Sequence, residues 1–153
     1  MDSIGRLSAR AASLLPACLL ALVCRDVGAA CPTGTTPYVQ VGGQRFQVEQ
    51  AVTDKERERG LSGRPALAAG RGMWFELPGP GYHGFWMKDM AFPIDLVWVA
   101  PDLTVLGARR LEPCTGYGCP IVQPPAPVAF VLEVNAGAFQ GRPGDQALGF
   151  CLP

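Results

Sequence analysis

The chain has 153 residues, and its 13 Lys and Arg residues balance its 13 Asp and Glu residues. It contains neither a basic cluster nor a polybasic or amphipathic stretch, which argues against nucleic acid and against a membrane surface as partners. A single histidine leaves too few ligands for a histidine-based metal site. We therefore expect no metal and no cofactor.

Residues 1–30 have the pattern of a secretory signal peptide. Arg6 and Arg10 precede the apolar run "AASLLPACLLALVC", and the small residues "GAA" precede Cys31. That order of basic start, apolar centre and small-residue exit predicts export. We expect a periplasmic or secreted protein in which residues 31–153 form one β domain.

Two alternatives to a cleaved signal peptide are a membrane anchor and a lipid on Cys31. The apolar run is broken by Pro16 and falls short of the roughly 20 residues that a spanning helix needs. Lipoprotein signals usually place Leu where this chain has Gly28. We therefore predict no membrane span after signal cleavage.

The first elements of the domain are two strands and a helix. Strand patterns at 38–41 and 45–52 are joined by Gly42-Gly43, a two-residue hairpin signal. Thr53 with Glu56 three residues later is a capping-box signature, which predicts a short, charged helix ending at the next glycine.

The rest of the chain reads as short strands separated by loops rich in glycine and proline. The strand patterns lie at residues 72–77, 85–88, 93–100, 104–111, 128–135 and 147–152. No phosphate loop or dinucleotide fingerprint accompanies them. Seven or eight short strands with one helix predict a mainly β fold, a compact antiparallel β-sandwich or barrel.

Four cysteines remain after signal cleavage, and their positions favour one pairing of three. Cys114 and Cys119 bracket a short flexible loop, which leaves Cys31 and Cys151 at the two ends of the mature chain. A zinc cluster is the alternative, but it needs closer cysteine pairs or histidines. We predict disulfides Cys114–Cys119 and Cys31–Cys151, which agree with an oxidising compartment.

Several of these segments together resemble a known bacterial and archaeal family, the domain of unknown function 192 (DUF192). The matching pieces are "ERERGLSGR", "GMWFEL", "FWMKDMAFPIDLVWV", "VLEVNAG" and "GD", in the family's order. Two departures occur: Asp89-Met90 stand where the family often has Asn-Thr, and Ser62 stands where it often has Met. The resemblance implies a small, jelly-roll-like β domain and carries no established activity.

Nucleophilic catalysis has few candidate residues. Ser62 and His83 are the only serine and histidine after the signal peptide, and "GLSGR" is not a nucleophile elbow because Arg64 replaces the final glycine. Cysteines that are all oxidised supply no thiolate. We expect no catalytic serine or thiol.

The candidate binding site is a polar cluster on the apolar strands. Lys88 and Asp95 flank a bend in "FWMKDMAFPIDLVWV", and Glu133 lies in the partner-like strand, so one lysine is expected to bridge two carboxylates. Asp89 is assigned to the bend itself, as an acceptor for backbone N–H groups. The full candidate set is Arg64, Trp86, Lys88, Asp95, Glu133 and Asn135.

Three functions fit these residues. The leading one is an accessory module of the cell envelope that binds an unknown small ligand or an envelope protein. The alternative is a carbohydrate-acting hydrolase that uses paired carboxylates among Asp89, Asp95 and Glu133, with tryptophans stacking on sugar rings. The third is a purely structural envelope protein. A pocket that joins the charges beside exposed tryptophans would favour binding or catalysis, and complete pairing of the charges would favour structure.

Overall fold

Seven strands and one helix make up residues 34–151, the part of the chain that the computed structural model describes. The strands are β1 (Tyr38–Val41), β2 (Gln44–Ala51), β3 (Arg71–Gly81), β4 (Ile94–Val99), β5 (Val105–Leu111), β6 (Val128–Asn135) and β7 (Ala147–Cys151). The helix α1 spans Asp54–Arg59, and a 3₁₀ turn spans Gly116–Gly118. The prediction of a mainly β fold with one short helix is confirmed.

The strands form one sheet in the order β5-β4-β6-β3-β2-β1-β7. All neighbours are antiparallel except β2 and β3, which pair in parallel. The predicted fold was antiparallel, and this one pair is parallel because α1 and the loop after it carry the chain back along the sheet before β3 begins. A parallel pair needs such a crossover connection.

The sheet curls into a half-barrel. Near the start of β5, Thr104 bridges Gln146, and the N–H of Ala147 donates to the carbonyl of Leu103 at 2.8 Å. These contacts bring one end of β5 to the start of β7, at the opposite edge of the sheet. Side chains from all seven strands then fill the inside, which we call the inner cluster: Val39, Val41, Phe46, Val48, Trp74, Val97, Val99, Val105, Leu132, Val134, Phe139 and Ala147.

The local turn and cap signals form as predicted. Gly42 and Gly43 have φ of 57° and 77°, the left-handed pair that a tight hairpin needs. At the start of α1 the N–H of Glu56 donates to the Thr53 hydroxyl at 3.3 Å, and the N–H of Thr53 donates to the Glu56 carboxylate at 2.8 Å. These two bonds close the capping box, and the helix ends at Gly60.

A second apolar layer, the outer cluster, covers the other face of the central strands. Sheet residues including Met73, Phe75, Ile94, Leu96, Trp98 and Val131 pack there against Leu61, Met87, Met90 and Val122 from loops. The segment predicted as strand 85–88 is one of those loops. Its side chains pack on the sheet, but its backbone pairs only in isolated bridges to another described loop, from Phe85 to Val122 and from Lys88 to Cys114.

The short disulfide closes the loop that carries Val122. Cys114 and Cys119 are bonded, with their Cα atoms 5.5 Å apart, so that pairing is confirmed. The predicted signal peptide and Cys31 lie outside residues 34–151, and the Cys31–Cys151 disulfide stays a prediction. Within the described residues no helix is long and apolar enough to cross a membrane.

Candidate functional site

The two buried acidic residues of the described chain, Asp95 and Glu133, lie on neighbouring strands but point to opposite faces of the sheet. Asp95 is the cross-strand partner of Val134 and shares its face, which is that of the inner cluster. Glu133 is the cross-strand partner of Leu96 and shares the face of the outer cluster. Because successive side chains alternate across a strand, this register separates the two carboxyl groups by the thickness of the sheet. The predicted bridge from one lysine to both carboxylates therefore does not form.

Asp95 is held by the turn that follows β6. One oxygen of its carboxylate accepts hydrogen bonds from the N–H groups of Gly137, at 2.7 Å, and Phe139, at 3.2 Å. The Nε of Arg110 lies 3.6 Å from the other oxygen. Gly137 has φ of 79°, which suits glycine, and this turn geometry directs the two amides at the carboxylate. Asp95 is thus a structural residue that fixes the turn.

Glu133 has no comparable partner. It is only 6 % exposed, and its carboxyl group forms no hydrogen bond or ion pair with another residue of the range 34–151. Its neighbours across the two adjoining strands are Met73 and Leu96. Burial in these apolar surroundings raises the pKa of Glu133 to about 8, because the charged form loses its hydration. At neutral pH the group is mostly a neutral acid.

Glu133 lines a cleft of about 310 Å³, here called the Glu133 cleft. One side is formed by α1 and the turn Gly60–Ser62, and the other by the end of β3 and residues 83–87 with Met90. Among its charged lining residues Glu133 alone is buried, so the carboxyl group marks the inner end. Around Glu133 the buried lining residues are apolar, as in many small-molecule sites, whereas the opening carries several charged and polar side chains.

Apolar side chains form the walls between the opening and Glu133. Leu61, Phe75, Met87 and Met90 are buried and line the cleft, while Trp86 lines it with 49 % of its surface exposed. The two methionines have flexible, polarizable side chains that adapt to an incoming group. The exposed tryptophan beside them gives the opening a large aromatic surface.

The polar residues at the opening are mostly engaged in the fold. Arg57 donates to the carbonyls of Val52 and Glu76 and pairs with the Asp54 carboxylate, which fixes α1 against β3. Glu58 and Arg59 are exposed and adjacent, with opposite charges. The opening therefore holds no strong excess of either charge.

Ser62 and His83 both line the cleft, but they do not form a catalytic pair. The Ser62 hydroxyl donates to the carbonyl of Lys88 at 2.8 Å, and Nε2 of His83 donates to the carbonyl of Gly79 at 2.8 Å. Each side chain is bonded to a backbone carbonyl, and no hydrogen bond joins the two. A nucleophilic serine needs its hydroxyl bonded to a base instead.

Of the six predicted site residues, only Trp86 and Glu133 line the Glu133 cleft. Arg64 forms a two-point ion pair with Glu49, with contacts of 2.6 and 2.8 Å, which lowers the pKa of the Glu49 carboxyl. Asn135 donates to the carbonyl of Leu67 at 2.8 Å. These two side chains hold segments of the fold.

Lys88 and Asp89 occupy an exposed turn. Lys88 is exposed and forms no ion pair with a described residue. Asp89 has φ of 58°, and its backbone carbonyl accepts from the N–H of Gly63 at 2.9 Å. The bend at Asp89 was predicted, but no hydrogen bond of its side chain to the described backbone accompanies it. The left-handed conformation is one that Asp and Asn tolerate better than most residues.

Sequence reasoning missed the residues that complete the cleft, above all Leu61, Met87, Met90 and helix α1. The helix was expected to be a solvated element, and it has no buried residue. The helix lines the cleft because Gly60 and Leu61, which follow it, pack near Phe75. The sequence pattern does not predict that contact between distant segments. Among the described residues no group of three or more His, Cys, Asp or Glu side chains is placed to hold a metal ion.

Comparisons with known proteins give a family and two similar structures. The family model DUF192, described as "Uncharacterized ACR", matches residues 38–146. A crystal structure from Sinorhizobium meliloti 1021, of a "putative transcription regulator", is 30% identical, covers 74% of this chain and 92% of its own, and has a TM-score of 0.66. A crystal structure of a protein of unknown function from Novosphingobium aromaticivorans is 28% identical, covers 79% of this chain and 91% of its own, and has a TM-score of 0.66. No curated protein matches.

Proposed function

Because the chain belongs to DUF192, a family described only as uncharacterized, we propose from its own residues that it is an exported binding module of the cell envelope whose Glu133 cleft takes a small ligand. The observation that carries the proposal is the carboxyl group of Glu133, which is buried at the inner end of the cleft without a partner among residues 34–151. A carboxyl group in that position costs stability, and a ligand that bonds to it offsets the cost.

Export is supported by the basic, apolar and small-residue pattern of residues 1–30 and by the Cys114–Cys119 disulfide, which is consistent with an oxidising compartment. The relative named as a transcription regulator gives no argument for DNA binding here. This chain has no net charge, and its sequence has no basic cluster to hold phosphates.

The direct test is a small-molecule screen by NMR on the purified protein with its disulfide intact. We expect bound compounds to shift the amide signals of residues around the cleft, such as Leu61 and Met87. Trp86→Ala should weaken those compounds because it removes the aromatic surface at the opening. Tyr82→Ala is the matched control, since Tyr82 is 60 % exposed and does not line the cleft.

The binding proposal fails if the compounds shift residues elsewhere, or if Trp86→Ala and Tyr82→Ala have equal effects. It also fails if a broad screen finds nothing that perturbs the cleft. Glu133→Gln adds a second check, because a ligand that bonds to the carboxyl group must distinguish it from an amide.

A hydrolase is the second candidate, and one observation favours it. A carboxylic acid that stays protonated at neutral pH suits a general acid for glycosidic bonds. Asp95 is on the opposite face of the sheet, and Asp54 at the opening is paired with Arg57, so Glu58 at the opening is the candidate for the second carboxylate. Hydrolysis of chromogenic aryl glycosides that both Glu133→Gln and Glu58→Gln abolish would establish this activity.

A further inference from the structure

We propose that the ligand of the Glu133 cleft carries a primary ammonium group on an unbranched apolar stem, with the ammonium paired to the Glu133 carboxylate and the stem between the apolar walls. This inference rests on the proposed binding function and names the chemistry of its ligand. Free alkylamines and the side chain of a lysine in a peptide share that chemistry.

The first argument is the missing partner of Glu133. Its only buried counterpart, Asp95, has two N–H donors and an arginine, whereas Glu133 has none of these within the described chain. Buried ionised carboxylates in proteins are normally paired with a cation or with several donors. An ammonium group provides both at once, because it carries a positive charge and three N–H donors.

The second argument is the order of polar and apolar surface along the cleft. The carboxyl group lies at the inner end, and the side chains of Leu61, Phe75 and Met87 line the path to it. A small hydrated cation would lose its water there without any apolar contact in return. A ligand with an apolar stem behind the charged head buries that stem against the walls, which is favourable.

The third argument is that other charged groups do not supply the partner. The titratable groups on α1 that line the cleft are Asp54, Arg57, Glu58 and Arg59, and the loop contributes His83. Arg57 is bound to Asp54 and to two carbonyls, and His83 is bonded to the Gly79 carbonyl. Glu58 and Arg59 are exposed and largely offset each other. The sheet neighbours of Glu133 are apolar.

Binding of an ammonium group has a defined proton balance. The free protein holds a proton on Glu133 below about pH 8, and pairing with the ammonium ionises the carboxyl group and releases that proton to solvent. The amine keeps its three protons, since its own pKa is near 10. Affinity should therefore rise about tenfold for each pH unit between about pH 6 and 7.5. A neutral ligand that accepts a hydrogen bond from the O–H of the protonated carboxyl group would show no such rise in affinity. It would bind more weakly above pH 8, where that proton is lost.

The experiment is an NMR titration of the purified protein with n-hexylamine, n-hexanol and Nα-acetyl-lysine amide at pH 6.5 and 7.5. We expect the amine to shift cleft residues and to bind about tenfold more tightly at the higher pH, with hexanol much weaker at both. Glu133→Gln should reduce amine affinity at least thirtyfold. Glu112→Gln, which removes an exposed carboxylate outside the cleft, is the matched control and should leave affinity unchanged within twofold.

The outcomes separate this inference from the proposed function. If hexanol or another neutral compound binds the cleft better than the amine, or if amine affinity falls as pH rises, the ammonium inference is wrong while the binding function stands. If no compound of either class perturbs the cleft, both are wrong. Binding of hexylamine supports a free amine as ligand, and binding of the lysine derivative alone supports a lysine side chain of a partner peptide.

Discussion

Asp95 and Glu133 are nearly equal in position and burial, yet their surroundings are opposite. They lie on adjacent strands one register step apart, with 7 % and 6 % of their surface exposed. The inner face offers Asp95 the backbone amides of a turn and the Arg110 guanidinium. The outer face offers Glu133 only apolar sheet neighbours and a cleft.

The comparison teaches that two equally buried carboxyl groups can differ in whether the fold supplies their partners. What distinguishes them is the segment that covers each face. The turn after β6 presents N–H groups, so Asp95 contributes to stability. The loops over the outer cluster present methionine, leucine and phenylalanine side chains, so Glu133 is retained at a cost to stability. Groups kept at such a cost are typical of functional sites.

The largest expected effect is that of Asp95→Ala. Removing the carboxylate leaves the N–H groups of Gly137 and Phe139 without their acceptor in a partly buried turn. Two hydrogen bonds to a charged acceptor are lost, which should lower the free energy of unfolding by about 3–5 kcal/mol. Urea unfolding at pH 7 measures the loss. Asp95→Asn keeps one oxygen as an acceptor and should lose clearly less. A loss below about 1 kcal/mol for Asp95→Ala would show that the turn does not depend on this residue.

Glu133→Gln should raise the free energy of unfolding, whereas Asp95→Ala lowers it. The pKa of Glu133 is about 8 in the folded protein, above its ordinary value of 4.5, so the folded state holds its proton at pH values where the unfolded state has lost it. Stability is then highest below about pH 4.5, falls as the pH rises to about 8, and is level above that. Glu133→Gln removes this dependence and should stabilise the protein by roughly 3 kcal/mol at pH 7.

The check on this prediction is the pH dependence of the difference between Glu133→Gln and the parent. Urea unfolding should give a small difference near pH 4.5 and the full one at pH 8. A difference that stays constant over this range would mean that Glu133 does not retain its proton, and the contrast with Asp95 would then have another cause.

Opening the Cys114–Cys119 disulfide should have an intermediate effect. The loop it closes is short, with five residues of sequence separation, so chain-entropy reasoning gives about 2 kcal/mol. The loss should be confined to the outer face, because Cys114 packs on the outer cluster and bridges Lys88. In Cys114→Ser/Cys119→Ser, hydrogen exchange should speed up at Phe85 and Val122 and stay unchanged at Gly137. Equal loosening around Asp95 would contradict the separation of the two faces.

The elements that the sequence predicted correctly depend on neighbours in the chain. The Gly42-Gly43 hairpin, the capping box at Thr53 and the Cys114–Cys119 disulfide each involve residues at most five positions apart. The strand count follows from local patterns as well. Such features need no knowledge of which strands are neighbours.

The cluster of Lys88, Asp95 and Glu133 was predicted wrongly as a single group because it depended on strand register. Pairing of β4 with β6 in the observed register places the two carboxyls on opposite faces, and a shift by one residue would have placed them together. The parallel pairing of β2 with β3 depends in the same way on how residues 52–70 cross the sheet. Neither arrangement is determined by residues that are close in sequence.

The smallest expected effect tests how Asp95 is satisfied. Arg110 lies 3.6 Å from its carboxylate, but the arginine side chain is 57 % exposed, and exposed ion pairs contribute little because water screens them. Arg110→Ala should therefore cost less than about 1 kcal/mol in urea unfolding. Arg109→Ala, an exposed arginine one position earlier without this contact, is the matched control, and the difference between the two variants measures the ion pair. If Arg110→Ala costs as much as Asp95→Ala, the guanidinium rather than the turn amides holds the carboxylate. The two carboxyls would then differ by the presence of a cation, and the ammonium proposed for Glu133 would have its counterpart in Arg110.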